Sequence, residues 1–79
     1  MDIENKVISI LHSMENFNLY SEEELLKMDY ESLFDSISFV FFIVRIEEEF
    51  NIELGEELLY LENFLNLERI VGVIRKELL

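Results

Sequence analysis

Between Ile37 and Phe50 the chain carries Phe39, Phe42, Ile43, Ile46 and Phe50 at spacings of three and four, and Ile37, Val40, Phe41 and Val44 along an adjoining line. An α-helix gathers each set onto one face, whereas a strand would scatter both across its two sides. Asp35, two positions before this run, has the short carboxylate of an N-cap, and Asn51 with Gly55 breaks the pattern behind it. One apolar stripe is enough to build the core of 79 residues. The spacing therefore predicts a helix whose Phe39 stripe is buried and whose Ile37 stripe has a second use.

The rest of the sequence has the same period. Ile3, Val7, Ile10, Leu11 and Met14 follow Asp2 and predict a first helix from about Ile3 to Met14. The stretch from Asn16 to Phe34 loses the period, apart from Ser21-Glu22-Glu23-Glu24, whose capping-box spacing can start one short turn before Leu25 and Leu26. A loop this long inside a small domain is uncommon and is often functional, so the place where it ends draws attention. Leu58, Leu59 and Leu61 behind Glu56-Glu57 predict a short third helix. A last helix, capped by Asn63 or Asn66, puts Leu67, Ile70, Val71, Ile74 and Leu78 on one face, with Arg75 and Lys76 near its negative end. No segment alternates with period two and no Pro interrupts the chain. The expected fold class is all-α: one domain over residues 1–79, a small four-helix bundle of three main helices and a short third one.

Composition narrows what such a bundle can do. At 51% hydrophobic the chain can afford a core, which argues against disorder. Six Lys+Arg against 18 Asp+Glu give a net charge of −12, which repels phosphate backbones and predicts basic protein partners and no nucleic acid. Without Cys there is no disulfide framework, thiolate metal site or nucleophilic thiol, and the cytoplasm is the expected compartment. The longest apolar run, Phe39 to Val44, is far too short to span a bilayer, and Met1-Asp2-Ile3-Glu4 lacks a basic signal-peptide start, so no membrane association is expected.

Catalytic constellations fail in turn. His12 is the one histidine, on the first helix, with no carboxylate or serine at catalytic spacing, and reads as a surface or packing residue. There is no glycine-rich phosphate loop and no calcium-loop pattern. What remains is Asp35-Ser36-Ile37 at the end of the long loop. With Asp35 as N-cap, Ser36 falls in the first turn, its hydroxyl outward beside unpaired amides at the positive end of the dipole, where an attached phosphate is well placed. As a tripeptide the pattern is weak, because Asp-Ser followed by an apolar residue is common by chance.

Its surroundings add to it. Asp35-Ser36-Ile37-Ser38-Phe39-Val40, followed by Glu47-Glu48-Glu49-Phe50-Asn51-Ile52-Glu53-Leu54, resembles the acyl carrier and peptidyl carrier protein family, and the likeness extends over the whole chain in length, long first loop, short third helix and amphipathic last helix. The resemblance implies a phosphopantetheine-binding four-helix bundle that is not itself an enzyme. In it Ser36 carries 4′-phosphopantetheine from coenzyme A, esterified by a separate phosphopantetheinyl transferase, beside Asp35. Leu33-Phe34 stands where the family commonly has Gly, so the loop approaches the serine differently. Phe39, Phe41 and Phe42 crowd the helix after the serine, which looks more like stand-alone carriers of specialised peptide, polyketide or aminoacyl pathways than like fatty-acid carriers.

On this reading Ile37, Val40, Phe41 and Val44 form a docking stripe, and Asp35, Glu47 and Glu48 offer charge to basic patches on acyl- or aminoacyl-loading and condensing enzymes. The carrier is expected to be a monomer. A fatty-acid carrier, and a non-covalent acidic helical adaptor or inhibitor, are the alternatives.

Overall fold

The computed structural model describes residues 2–79. Among the described residues there are four α-helices, α1 (Ile3–His12), α2 (Glu22–Lys27), α3 (Ser36–Phe50) and α4 (Leu67–Leu78), with 3₁₀ turns at Glu56–Leu58 and Leu61–Phe64 before the last. There is no strand among the described residues, and the all-α small bundle is what the periodicity predicts. No helix among them is long and apolar enough to cross a membrane.

Each helix begins on a side chain that takes up a first-turn amide. Asp2 accepts from Asn5 N, Ser21 from Glu24 N, Asp35 from Ser38 N and Asn66 from Arg69 N. Asn66, and not Asn63, therefore starts α4. Asn63 lies inside the second 3₁₀ turn, where its Nδ2 donates to the Leu58 carbonyl at 3.1 Å. At the other end of α3, Asn51 adopts the left-handed conformation (φ 53°), and the Ile52 amide bonds back to the Glu47 carbonyl at 3.1 Å, which stops the helix.

Helix α1 packs against both α3 and α4, and α2 lies against α4. The α3 stripe divides as its spacing predicts. Phe42, Ile43, Ile46 and Phe50 are buried and Phe39 is half-buried against the core, while Ile37, Val40, Phe41 and Val44 are exposed. From α4 the core takes Leu67, Ile70, Val71 and Ile74. One contiguous core results, and the Cα radius of gyration of 11.4 Å agrees with about 11.6 Å for a packed chain of this length.

Three details differ from expectation. Helix α1 ends at His12, because the chain turns at Ser13, whose hydroxyl donates to the Ile10 carbonyl at 2.6 Å; Met14 is buried from beyond the helix. The short third helix is two 3₁₀ turns with no side-chain cap on either, and Leu59 and Tyr60 between them leave the helical path. Leu78 is 38% exposed at the chain end and adds little to the α4 face.

The loop before α3 is built on aromatic rings. Phe17 and Tyr30 are fully buried, and Phe34 is nearly so. Phe34 touches Phe17, Tyr30, Phe39 and Phe42 with ring centroids 5.0 to 6.4 Å apart, and Phe64 closes on Phe39 and Phe42. Tyr30 also donates its hydroxyl to the Leu25 carbonyl and its amide to the Leu65 carbonyl, the latter at 2.6 Å. These bonds fix where the loop delivers Asp35.

Candidate functional site at the start of helix α3

Asp35 and Ser38 close a reciprocal capping box. The Ser38 amide donates to Asp35 Oδ1 at 2.7 Å, and the Asp35 amide donates to Ser38 Oγ at 2.9 Å. The backbone and side-chain hydrogen bonds from Ser38 hold the Asp35 carboxyl below its ordinary value of 3.8, so it stays ionised at neutral pH. The box has a chemical consequence. It engages the Ser38 hydroxyl, whereas Ser36 is exposed in the first turn and none of the described residues takes up its hydroxyl. Of the two serines, Ser36 is the one with an oxygen available to a reagent from outside.

Two depressions flank this point. On one side Ser36 and Asp35 join Phe34, Phe39 and Leu61 around a pocket of about 210 Å³. On the other, Asp35, Ile37, Ser38 and Phe41 face Met14 and Asn16 across a hollow of about 370 Å³. Asn16 is held there by its Nδ2, which donates to the Leu33 carbonyl at 2.9 Å. The outward side of α3 continues as an apolar strip, with Ile37 82%, Val40 61%, Phe41 50% and Val44 46% exposed.

The acidic residues expected beside this strip separate in the structure. Glu47 is half-buried, and its Oε2 accepts the Leu54 amide at 2.8 Å, which ties the end of α3 to the following segment. Glu48 is exposed. Thus Asp35, Ser36, Ile37, Val40, Phe41, Val44 and Glu48 share the outward side of α3, and Glu47 has a structural bond as well as a charge. His12 is exposed and its Nε2–H donates to the Tyr20 carbonyl at 2.9 Å, a contact that fastens the loop. Among the described residues no three His, Asp or Glu side chains are grouped to hold a metal ion.

Sequence reasoning missed Ser38 as the partner of Asp35, although Asp-x-x-Ser is itself a capping spacing. It also missed Phe34 and Leu61 as neighbours of Ser36. Leu61 arrives from a segment 25 positions away by folding alone. No family model, curated protein or solved structure matches this chain.

Proposed function

We propose that this protein is a cytoplasmic carrier that holds acyl, aminoacyl or peptidyl groups as thioesters on a 4′-phosphopantetheine arm attached to Ser36. The observation that carries the reading is the exposed Ser36 hydroxyl in the first turn of α3, beside a serine whose hydroxyl is taken by the cap. The resemblance of the Asp35–Val40 and Glu47–Leu54 segments to carrier proteins supports it. The first-turn amides and the helix dipole favour a phosphodiester at this point. When bound, the arm supplies the thiol that a cysteine-free chain lacks. Asp35 keeps the helix start rigid. The exposed Ile37, Val40, Phe41 and Val44 with Glu48 offer an apolar, acid-edged strip to a transferase and to loading and condensing enzymes with basic patches. Tethering raises the local concentration of the cargo at each docked enzyme. The phenylalanines of α3 favour a specialised peptide or polyketide-type pathway over fatty-acid synthesis.

The test is intact mass after incubation with coenzyme A and a broad-specificity phosphopantetheinyl transferase. One arm is expected on the wild-type chain and on Ser38→Ala, and none on Ser36→Ala; an unmodified wild-type chain overturns the reading. The same exposed strip and a charge of −12 would also serve an acidic adaptor that binds a basic partner without an arm, and this second reading takes over if no mass is gained.

A further inference from the structure

Gly72 lies in the middle of α4, exposed and without a positive φ, at a place where glycine is among the poorest helix formers. A Cβ there would meet nothing within 4 Å, so neither the backbone nor the packing of this chain calls for its absence. The missing side chain leaves a bare stretch of helix backbone open to solvent. On the side of the 3₁₀ turns Gly72 borders a hollow of about 300 Å³ lined by the half-buried Leu58 and Val73, by Asn63, and by Arg69 and Lys76. No carboxylate lines that hollow, in a chain of net charge −12. Arg69, Gly72, Val73 and Lys76 are spaced three and four apart and share one face of α4, and the acids of the helix, Glu68 and Glu77, fall to either side of it. Arg69 is steadied through Nη1, which donates to the Glu62 carbonyl at 3.2 Å, and among the described residues neither Arg69 nor Lys76 has a carboxylate at ion-pair distance. The hollow on the other side of Gly72, about 570 Å³, includes Glu4 and Glu68 beside Arg75, so its charges offset one another.

We propose that the α4 face of Arg69, Gly72, Val73 and Lys76 docks an acidic amphipathic helix of a partner protein, with a large apolar side chain of that helix seated over Gly72 against Leu58 and Val73 and a carboxylate on either side meeting Arg69 and Lys76. The proposal goes beyond the carrier reading and does not rest on it, since no residue of this face lines the hollows at Ser36. Arg69 and Lys76 are seven positions apart, about 10.5 Å along the helix axis. A partner helix crossing at a shallow angle of about 20° presents acids at the same interval. Running antiparallel, it needs an acid, a large apolar residue four positions on and a second acid three beyond that. The missing Cβ at Gly72 lets that apolar side chain come close to the α4 backbone. A small carboxylate would use the hollow and one cation but has no need of bare backbone between two. A nucleic acid would bring a continuous row of phosphates against a chain of −12. At about 0.15 M salt, charges more than about 8 Å away are largely screened, so Arg69 and Lys76 dominate the field that an acidic segment meets here.

The experiment titrates the isotope-labelled full chain, at about 0.15 M salt, with an Ala- and Gln-based helical peptide of about 20 residues bearing one Glu-x-x-x-Leu-x-x-Glu face, and follows the amide resonances. Those of residues 69–76 should shift, while those of Ile37, Val40, Phe41 and Val44 stay in place. The peptide with both Glu changed to Gln should bind at least about tenfold more weakly. Gly72→Leu should melt about 4 °C or more higher, because a better helix former replaces Gly, and yet bind the Glu peptide at least about tenfold more weakly, because its side chain fills the seat. Lys76→Glu should lose the Glu peptide to a similar extent and bind one whose first Glu is changed to Lys. Equal binding by the Glu and Gln peptides, or undiminished binding by the higher-melting Gly72→Leu, overturns the proposal. Shifts confined to the exposed strip of α3, or no shifts at all, overturn it too. Hexanoate that reproduces the shifts and displaces the peptide would give the face to a small carboxylate, and a single-stranded oligothymidylate that shifts the same residues more strongly than the peptide would give it to nucleic acid; either result overturns a protein helix as the occupant.

Discussion

Two isoleucines on one helix, nine residues apart, should respond in opposite ways to the same substitution. Ile46 is fully buried and Ile37 is 82% exposed. Ile46→Asp removes about 2 kcal/mol of apolar burial. It also puts an unpartnered carboxyl into the core, at a further cost of about 3 kcal/mol or more. The total of about 5 kcal/mol compares with about 4 to 12 kcal/mol of total stability for a chain of this length. At about 4 to 8 °C per kcal/mol for a small domain, the melting temperature should fall by more than about 20 °C, or the transition should vanish. Ile37→Asp gives up little burial, and at the second position of α3 its new carboxylate interacts favourably with the helix dipole, a gain of about 0.3 to 1 kcal/mol. Its melting temperature should stay within about 8 °C of the wild type. Circular dichroism melting of both variants, alongside a loading assay, checks this. The Ile37 variant should fold normally and be loaded poorly. If Ile37→Asp unfolds the protein while Ile46→Asp melts normally, the two stripes are assigned to the wrong faces; if Ile37→Asp folds and loads at the wild-type rate, the exposed strip is not the surface the transferase uses.

Ser38→Ala should cost about 1 kcal/mol through loss of half the capping box, read as a lower melting temperature with the α3 helix otherwise intact. Burial pushes the Tyr30 phenol up to about 12 from an ordinary 10. The folded state therefore binds this proton more tightly than the unfolded one, and the stability it contributes is whole below pH 10 and is lost as the pH rises toward 12. In Tyr30→Phe that alkaline loss should be smaller, and the unpaired Leu25 carbonyl should cost about 1 to 3 kcal/mol at neutral pH; an unchanged alkaline profile would count against Tyr30 as its source. Because −12 charges repel one another, melting temperature should rise between low and moderate salt. The one ion pair among the described residues, Lys6 with Glu49 at 4.0 Å and exposed on both sides, is too weak to reverse that trend. A flat or falling curve would refute this electrostatic account.

Helix α3 was readable from the chain because its cap, period and stop are all local. Asp35, the three-and-four spacing of Phe42, Ile43, Ile46 and Phe50, and the left-handed Asn51 agree with one another without help from the rest of the fold. The same holds for α4 from Asn66 through Ile74, and for the capping box at Ser21. What sequence could not show depends on contacts between distant segments. Phe17, Tyr30 and Phe34 sit in a stretch with no period, and their burial comes from edge-on packing against one another and against α3. The 56–64 segment has the apolar residues of a helix but no capping side chain, and the Asn63 bond to the Leu58 carbonyl favours tighter turns. At the candidate site, Asp35 and the outward Ser36 were legible. The pocket beside them was not, since Leu61 reaches it only through the tertiary fold.

Tyr30 has a consequence for how the molecule opens. A helix of six residues such as α2 has no stability of its own in water, because nucleation costs more than so few hydrogen bonds return. It persists because its buried Leu25 is held at the carbonyl by the Tyr30 hydroxyl, while the Tyr30 amide is anchored to Leu65 just ahead of α4. Tyr30 thus ties α2 to the approach of α4, beside the packing of α2 on α4 and the Asn16 bond to the Leu33 carbonyl. Because Tyr30 bonds on both sides, α2 and the Tyr30 anchor should open together, with their amides exchanging with solvent at a common rate, while the exposed tip at Leu19 exchanges independently of them.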